Sequence, residues 1–330
     1  MLSPRKKLVL KDVVEGYIAT CSPVASGRIS PHVEVSSATV RNELASLEDE
    51  GYIYRPHISA GGIPSDKGYR YYVEHLLEVD DVSEKEKEET AQAILLTNVE
   101  GFEEWLEQIA QALARRIGYL ILVTPPRGRL FLKHISLISF QEFLALLILV
   151  LTGARIKKQL ISLDRSVPQD DLDLISNKIN YLYSGCTWSD ILSSGEDFSP
   201  LEGRVVGSIA QLMQGEEAKS EKVWVSGLSY LLSQPEFSHK EMLPLVEVWE
   251  EKELWEDVLG PSQKIKISIG HENEDYVLHN LSLVVGSYTV PQGGRGTLSV
   301  VGPTRMYYKK VIPWINFSTE ILSSFLARLY

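Results

Sequence analysis

Hydrogen-bonding and cationic side chains crowd one stretch of the chain, VSSATVRNELASLEDEGYIYRPHISAGGIPSDKGYRYY at 35–72. Ser36, Ser37, Thr39, Arg41 and Asn42 fall within seven residues. Hydroxyls and the Asn amide bond to base edges or phosphates, and Arg grips guanine or phosphate. Arg55, His57, Ser59 and Lys67 follow and offer contacts to a phosphate backbone or a minor groove. A second group, His271, Asp275 and His279 in HENEDYVLH, is spaced i, i+4, i+8, which on a helix aligns three metal ligands. The flanking KIKISIG and LSLVVGSYTV read as strands and leave only a short loop or helical turn between them, so this metal reading stands as a lesser alternative.

Other chemistry is thinner. GGRGTLS at 293–299 is Gly-rich but lacks the following Lys of a phosphate loop and precedes a strand, so it reads as a hairpin turn. GPTRM at 302–306 joins a strand to a helix, with Thr304 as the expected N-cap and an anion site conceivable there. No Ser-His-Asp or Cys-His arrangement stands out, and Cys186 has no sign of thiolate activation. The chain therefore reads as a non-enzyme with no cofactor.

The elements that must position the polar stretch follow from periodicity. Leu8, Val9, Val13, Val14, Tyr17 and Ile18 mark an amphipathic helix over 6–20, and PVASGRIS suggests a short second one. Val40, Leu44 and Leu47 recur at i, i+4 and i+7 in a third, with Ser36 or Ser37 as N-cap and Gly51 as the stop. Its opposite face presents Ser37, Thr39, Arg41 and Asn42, where a recognition helix in a major groove places its reading side chains. GYIYRPHISAGGIPS reads as a hairpin with Ile53 buried, a turn at 59–62 where Gly61 and Gly62 allow positive φ, and a return strand ended by Pro64. Ser65 then caps a helix whose Tyr72, Val73, Leu76 and Leu77 face the rest of the protein. Three helices and a hairpin are the order of a winged helix-turn-helix, although the same order also serves protein-interaction modules.

Charge is consistent with that placement. The 330 residues carry a net charge of −11, which alone disfavours nucleic acid. Residues 1–75, however, hold nine basic and nine acidic residues, so the acidity lies outside them. The longest apolar run, FLALLILVL at 143–151, is nine residues, far short of the roughly 20 of a membrane helix. Only Cys21 and Cys186 are present, far apart, which argues for a reducing cytoplasm rather than a disulfide scaffold or zinc finger.

The polar stretch also closely resembles the N-terminal signature of the HrcA family of bacterial heat-inducible transcription repressors. VSGLSYLLSQPEF at 225–237 and GTLSVVGPTRMYYKKVIPWI near the end match further family segments in family order. The resemblance implies an inverted-repeat DNA operator, control of chaperonin and Hsp70 genes, and activity that depends on the chaperonin. It also implies a GAF-like second region whose insertion helps form a homodimer. Gly62 stands where the family usually has Arg in the wing, which implies one wing contact fewer, and 24–34 is shorter than the family's second-helix region, so Ser26 and Arg28 stay outside the contact set.

The expected architecture is multidomain α+β. Residues 1–80 form a winged-helix DNA-binding domain, 81–163 the first part of a GAF-like domain, 164–221 a mainly helical dimerisation insertion, and 222–330 the resumed GAF-like part. A small molecule held in the GAF-like region is the nearest alternative mode of control. Trp224, Trp249, Trp255 and Tyr288 there read as core or interface rather than a cofactor box.

Overall fold

The computed structural model describes residues 2–57, 60–95, 102–126, 128–217, 223–237, 265–291 and 294–329. The head begins with α1 (Pro4–Thr20), α2 (Ser26–Val33) and α3 (Ser37–Asp49). A two-stranded antiparallel ribbon of β1 (Ile53–Tyr54) and β2 (Ile63–Pro64) follows, then α4 (Asp66–His75). The expected caps are in place. Ser36 Oγ accepts from Thr39 N at 3.1 Å, Ser65 Oγ accepts from Gly68 N at 3.1 Å, and Gly51 takes φ +75° just beyond α3. Val9, Leu10, Val13 and Val14 of α1 pack with Val40, Leu44 and Leu47 of α3 and with Ile53.

The glycine pair works differently from expectation. Neither Gly61 nor Gly62 has a positive φ. Gly62 exchanges both backbone hydrogen bonds with Val24, at 2.9 and 3.0 Å, and a Cβ on Gly61 would lie 2.3 Å from the Val24 carbonyl carbon. Close approach of two backbones, not turn geometry, is what requires glycine there. Gly62 points inward, its virtual Cβ 3.0 Å from Ile53 Cδ1, so its missing side chain removes no outward contact.

The body is built on a five-stranded antiparallel sheet. Its order is β7 (Trp224–Ser226), β3 (Leu120–Val123), β10 (Arg295–Pro303), β9 (Leu281–Thr289), β8 (Lys266–Ile269). Helices α5 (Glu84–Leu95), α6 (Phe102–Ile117) and α11 (Tyr308–Leu329) contribute to the core cluster that also contains the head. The short α10 (Leu228–Leu232) lies with Leu120, Leu122, Leu283 and Val285 in a separate cluster. Trp224 and Tyr288 are buried, as expected of core residues, while Trp249 and Trp255 fall outside the described residues. Thr304 is not the cap of the final helix: α11 begins at Tyr308, and the Thr304 carbonyl accepts from the Tyr308 hydroxyl at 2.8 Å. The anion site suggested for that cap therefore loses its helix.

Strands β4 (Leu132–Gln141), β5 (Leu144–Leu151) and β6 (Arg155–Ser162) form a sheet of their own. They share a core with α7 (Gln169–Tyr183), α8 (Trp188–Ser193) and α9 (Pro200–Glu217), so these strands group with the helices that follow, not with the larger sheet. The apolar run of β5 alternates buried and half-buried residues, one face toward the helices.

Side chains of α7 close the outer edge of β4. Asn180 accepts from Ile135 N at 2.8 Å and donates to Ile135 O at 2.9 Å, Ser176 accepts from Leu137 N at 3.0 Å, and Gln169 donates to Leu137 O and accepts from Ser139 N. Amides and hydroxyls at helical spacing thus supply the bonds a fourth strand would make. Asn180→Ala is expected to destabilise the protein by about 1–2 kcal/mol, since it strands both backbone groups of Ile135. Urea denaturation checks this, and an unchanged midpoint would show that water replaces the amide.

Candidate nucleic-acid interface

The N-terminal turns of α3 assemble around hydroxyl contacts. Ser36 Oγ, besides capping the helix, lies 2.9 Å from Thr39 Oγ1. Ser37 Oγ lies 2.9 Å from Ser26 Oγ, which ties the start of α2 to the start of α3. These three predicted residues are therefore partly engaged in building the helix end. Arg41 and Asn42 are exposed on the next turn, and Arg41 has no ion pair among the described residues. The buried stripe of Val40, Leu44 and Leu47 forces this arrangement, because its opposite face must look outward.

The other predicted cations have partners within the head. Arg55 donates from its backbone N to Glu48 Oε1 at 3.0 Å and from Nε to Glu48 Oε2 at 2.7 Å, and its second guanidinium nitrogen also meets Glu48. With these bonds made, the Arg55 side chain is only 16% exposed. Lys67 Nζ donates to the Glu50 carbonyl at 2.7 Å, at the C-terminal end of α3, and lies 4.4 Å over the Tyr52 ring. His57 is exposed at the ribbon's turn, where its carbonyl accepts from Ala60 N at 2.8 Å. Ser59 lies outside the described residues.

The acids of α3 explain this engagement. Glu43, Glu48, Asp49 and Glu50 occupy its second half and beyond, an unfavourable sign at a helix C-terminus. Arg5 approaches Glu43 at 3.7 Å, Arg55 takes Glu48, and Lys6 takes Glu50. The Lys6 hydrogen bond is the first cause holding the Glu50 carboxyl below its usual range. Positive charge without a counter-ion remains at the other end, on Arg41 and on Arg28 of α2, which is also exposed and has no ion pair among the described residues. Arg28 is absent from the sequence-derived set. Ile29 is the buried residue of α2, which turns its neighbour Arg28 outward.

Loss of the Arg55 guanidinium should act on stability. Arg55→Ala is expected to cost about 1 kcal/mol in chemical denaturation, with Glu48 left partly unpaired. A variant of full stability that binds DNA at least tenfold more weakly would return Arg55 to the contact set.

The predicted metal group does not assemble as a helix. His271 and the residues beside it form two 3-10 turns, Gly270–Glu272 and Tyr276–Leu278, and Asp275 caps the second through Val277 N at 2.8 Å. His271 instead meets Asp66 of the head at 2.8 Å, with the His279 ring 4.4 Å away, and no cluster of three ligating side chains occurs among the described residues. Beside it, Arg70 of α4 forms a forked pair with Glu272 and donates to Ile267 O at 2.7 Å. His271 is thus part of the seam between head and body.

The chemistry at the exposed helix end is hydrogen bonding and charge, the means by which a protein recognises another surface. It is carried by a helix-and-ribbon head on an α+β body with no membrane-length apolar helix among the described residues. Residues 103–312 match the family model described as HrcA protein C terminal domain. The chain is 38% identical over 100% of its length to the heat-inducible transcription repressor HrcA of Dehalococcoides mccartyi, covering 97% of that protein. It is 32% identical to the protein of that name from Acetivibrio thermocellus, over 99% of this chain and 97% of that one. A crystal structure of a hypothetical protein, 23% identical, aligns over 100% of both chains with a TM-score of 0.66, which shows a shared fold. The chain belongs to the HrcA family.

Proposed function

We propose that this protein is a DNA-binding transcriptional repressor of heat-shock chaperone operons. The observation that carries the reading is the pairing of Arg41 and Asn42, exposed together on the first turns of α3, with full-length similarity to heat-inducible repressors. In this reading residues 1–80 are a winged helix-turn-helix domain. Ser36, Ser37, Thr39, Arg41 and Asn42 read the major groove, His57 and Ser59 at the wing and Lys67 meet the backbone, and Arg55 acts by bracing the ribbon. The five-stranded body is the GAF-like domain, and 130–217 is the dimerisation insertion, begun earlier than the expected 164.

A homodimer has a physical motive, since one head covers one half-site and a twofold pair matches an inverted repeat. The insertion offers a surface for it. Ile138, Phe140, Phe143, Ile156 and Leu160 are exposed there, and cross-strand pairing lines up Ile138, Leu146 and Leu160. The reading places the protein in the cytoplasm, with the chaperonin as the partner that keeps it active. The resemblance to HrcA-family repressors supports that last element.

Fluorescence anisotropy tests the reading, with an inverted-repeat duplex from upstream of the host's chaperonin genes against a scrambled duplex, over a salt series and with or without chaperonin. Binding to the repeat about a hundredfold tighter is expected, strengthened by chaperonin. Equal, weak binding to both duplexes in both conditions would overturn it.

A further inference from the structure

A cavity of about 470 Å³ lies between head and body. Its head side is Glu15, Ile18 and Ala19 of α1 with Tyr72 of α4, and its body side is Tyr119, Arg305, Tyr307 and Lys309. A single water occupies about 30 Å³, and pockets for small organic ligands begin near 300 Å³, so the space is of ligand size.

Its walls are fixed before anything enters. The Tyr72 hydroxyl donates to Glu15 at 3.1 Å, and the Tyr119 hydroxyl accepts from Tyr307 N at 3.1 Å. Arg305 is held by Gln234 at 2.9 Å and by an ion pair with Glu236. Three phenol rings with Ile18 and Ala19 supply the apolar part of a mixed lining, against which a planar ring can pack. The charged groups on the lining are Arg305, Lys309 and Glu15, of which Arg305 is already met by Glu236 and Glu15 by the Tyr72 hydroxyl. Lys309 is the accessible cation. It pairs at 2.9 Å with Asp80, whose side chain is 81% exposed, and an exposed partner of that kind is readily displaced by another carboxylate.

We propose that this cavity is an effector site for a small aromatic acid, a planar ring bearing one carboxylate, and that its occupancy changes operator affinity. The ring lies among Tyr72, Tyr119 and Tyr307, and the carboxylate takes the place of Asp80 at Lys309. Because one wall belongs to the head and the other to the body, a molecule that touches both binds differently when the two shift. Such a ligand biases the head's position by the difference. The coupling rests on the repressor reading, while the site does not.

The test uses the full-length protein and 4-hydroxyphenylacetate as probe, first by calorimetry without DNA. One saturable site per chain is expected, with 4-hydroxyphenylacetamide and acetate at least about tenfold weaker. Lys309→Ala should weaken the probe about tenfold and Ala19→Phe, which fills the space, should abolish it. At saturation the probe should move operator affinity by about threefold or more. No saturable heat up to about 10 mM, binding indifferent to both substitutions, or unchanged operator affinity at saturation each overturns the proposal. Operator binding without probe reports on the repressor reading alone, and the titration without DNA reports on the cavity alone.

Discussion

Gly68→Ala should abolish operator binding by unfolding the head. A Cβ at this position would lie 2.1 Å from the Tyr52 carbonyl oxygen, and that oxygen already accepts from Ser65 N at 3.0 Å. The added methyl is fixed by its own backbone and meets a backbone oxygen, so no side chain can rotate away. Helix α4 would have to lift from the ribbon, taking Tyr69 and Tyr72 out of the shared core. A loss of about 3 kcal/mol or more is expected, at the upper end for overpacking because relief requires movement of a whole helix. Hydrogen exchange at Val40, Leu44 and Leu47 locates the damage, and a variant that keeps wild-type protection and operator affinity would refute the argument.

Arg41→Ala should leave the fold intact and weaken operator binding by about 1–3 kcal/mol, with relaxed preference at one base pair if the contact is a forked one to guanine. The side chain is exposed and makes no ion pair among the described residues, so truncation has little to disturb within the protein. Its effect differs in kind from that of a phosphate contact, which would weaken all duplexes alike and reduce the salt slope. Anisotropy on the operator and on single-base variants separates these outcomes. Unchanged affinity and preference would remove Arg41 from the interface.

The head was largely legible because its signals are local. Ser36, Gly51 and Ser65 lie next to the helices they begin or end, and the stripe of Val40, Leu44 and Leu47 needs only helical geometry to point the polar face outward. What periodicity could not show was which cations remain free. Arg55 and Glu48 meet only after the chain turns from α3 into the ribbon, and the Lys67 partner is a backbone carbonyl with no sequence mark. The apolar run at 143–151 reads as a strand in sequence while β6 carries no such run, and sheet membership was not legible for either. That depends on Gln169, Ser176 and Asn180 reaching a strand edge 30 to 45 residues earlier. The glycine pair at 61–62 reads as turn geometry in sequence because composition cannot distinguish positive φ from close backbone approach.

The amide and hydroxyl rungs along β4 have a consequence for assembly. They leave the three-stranded sheet with one closed side, while β6 has no strand beyond it among the described residues. An object with a single extendable border cannot polymerise through its strands. If β6 of one molecule pairs with β6 of another, both borders are consumed and growth terminates at two, whereas a sheet open on both sides could lengthen into a fibre. Three side chains of one helix thus stop the sheet from lengthening on that side.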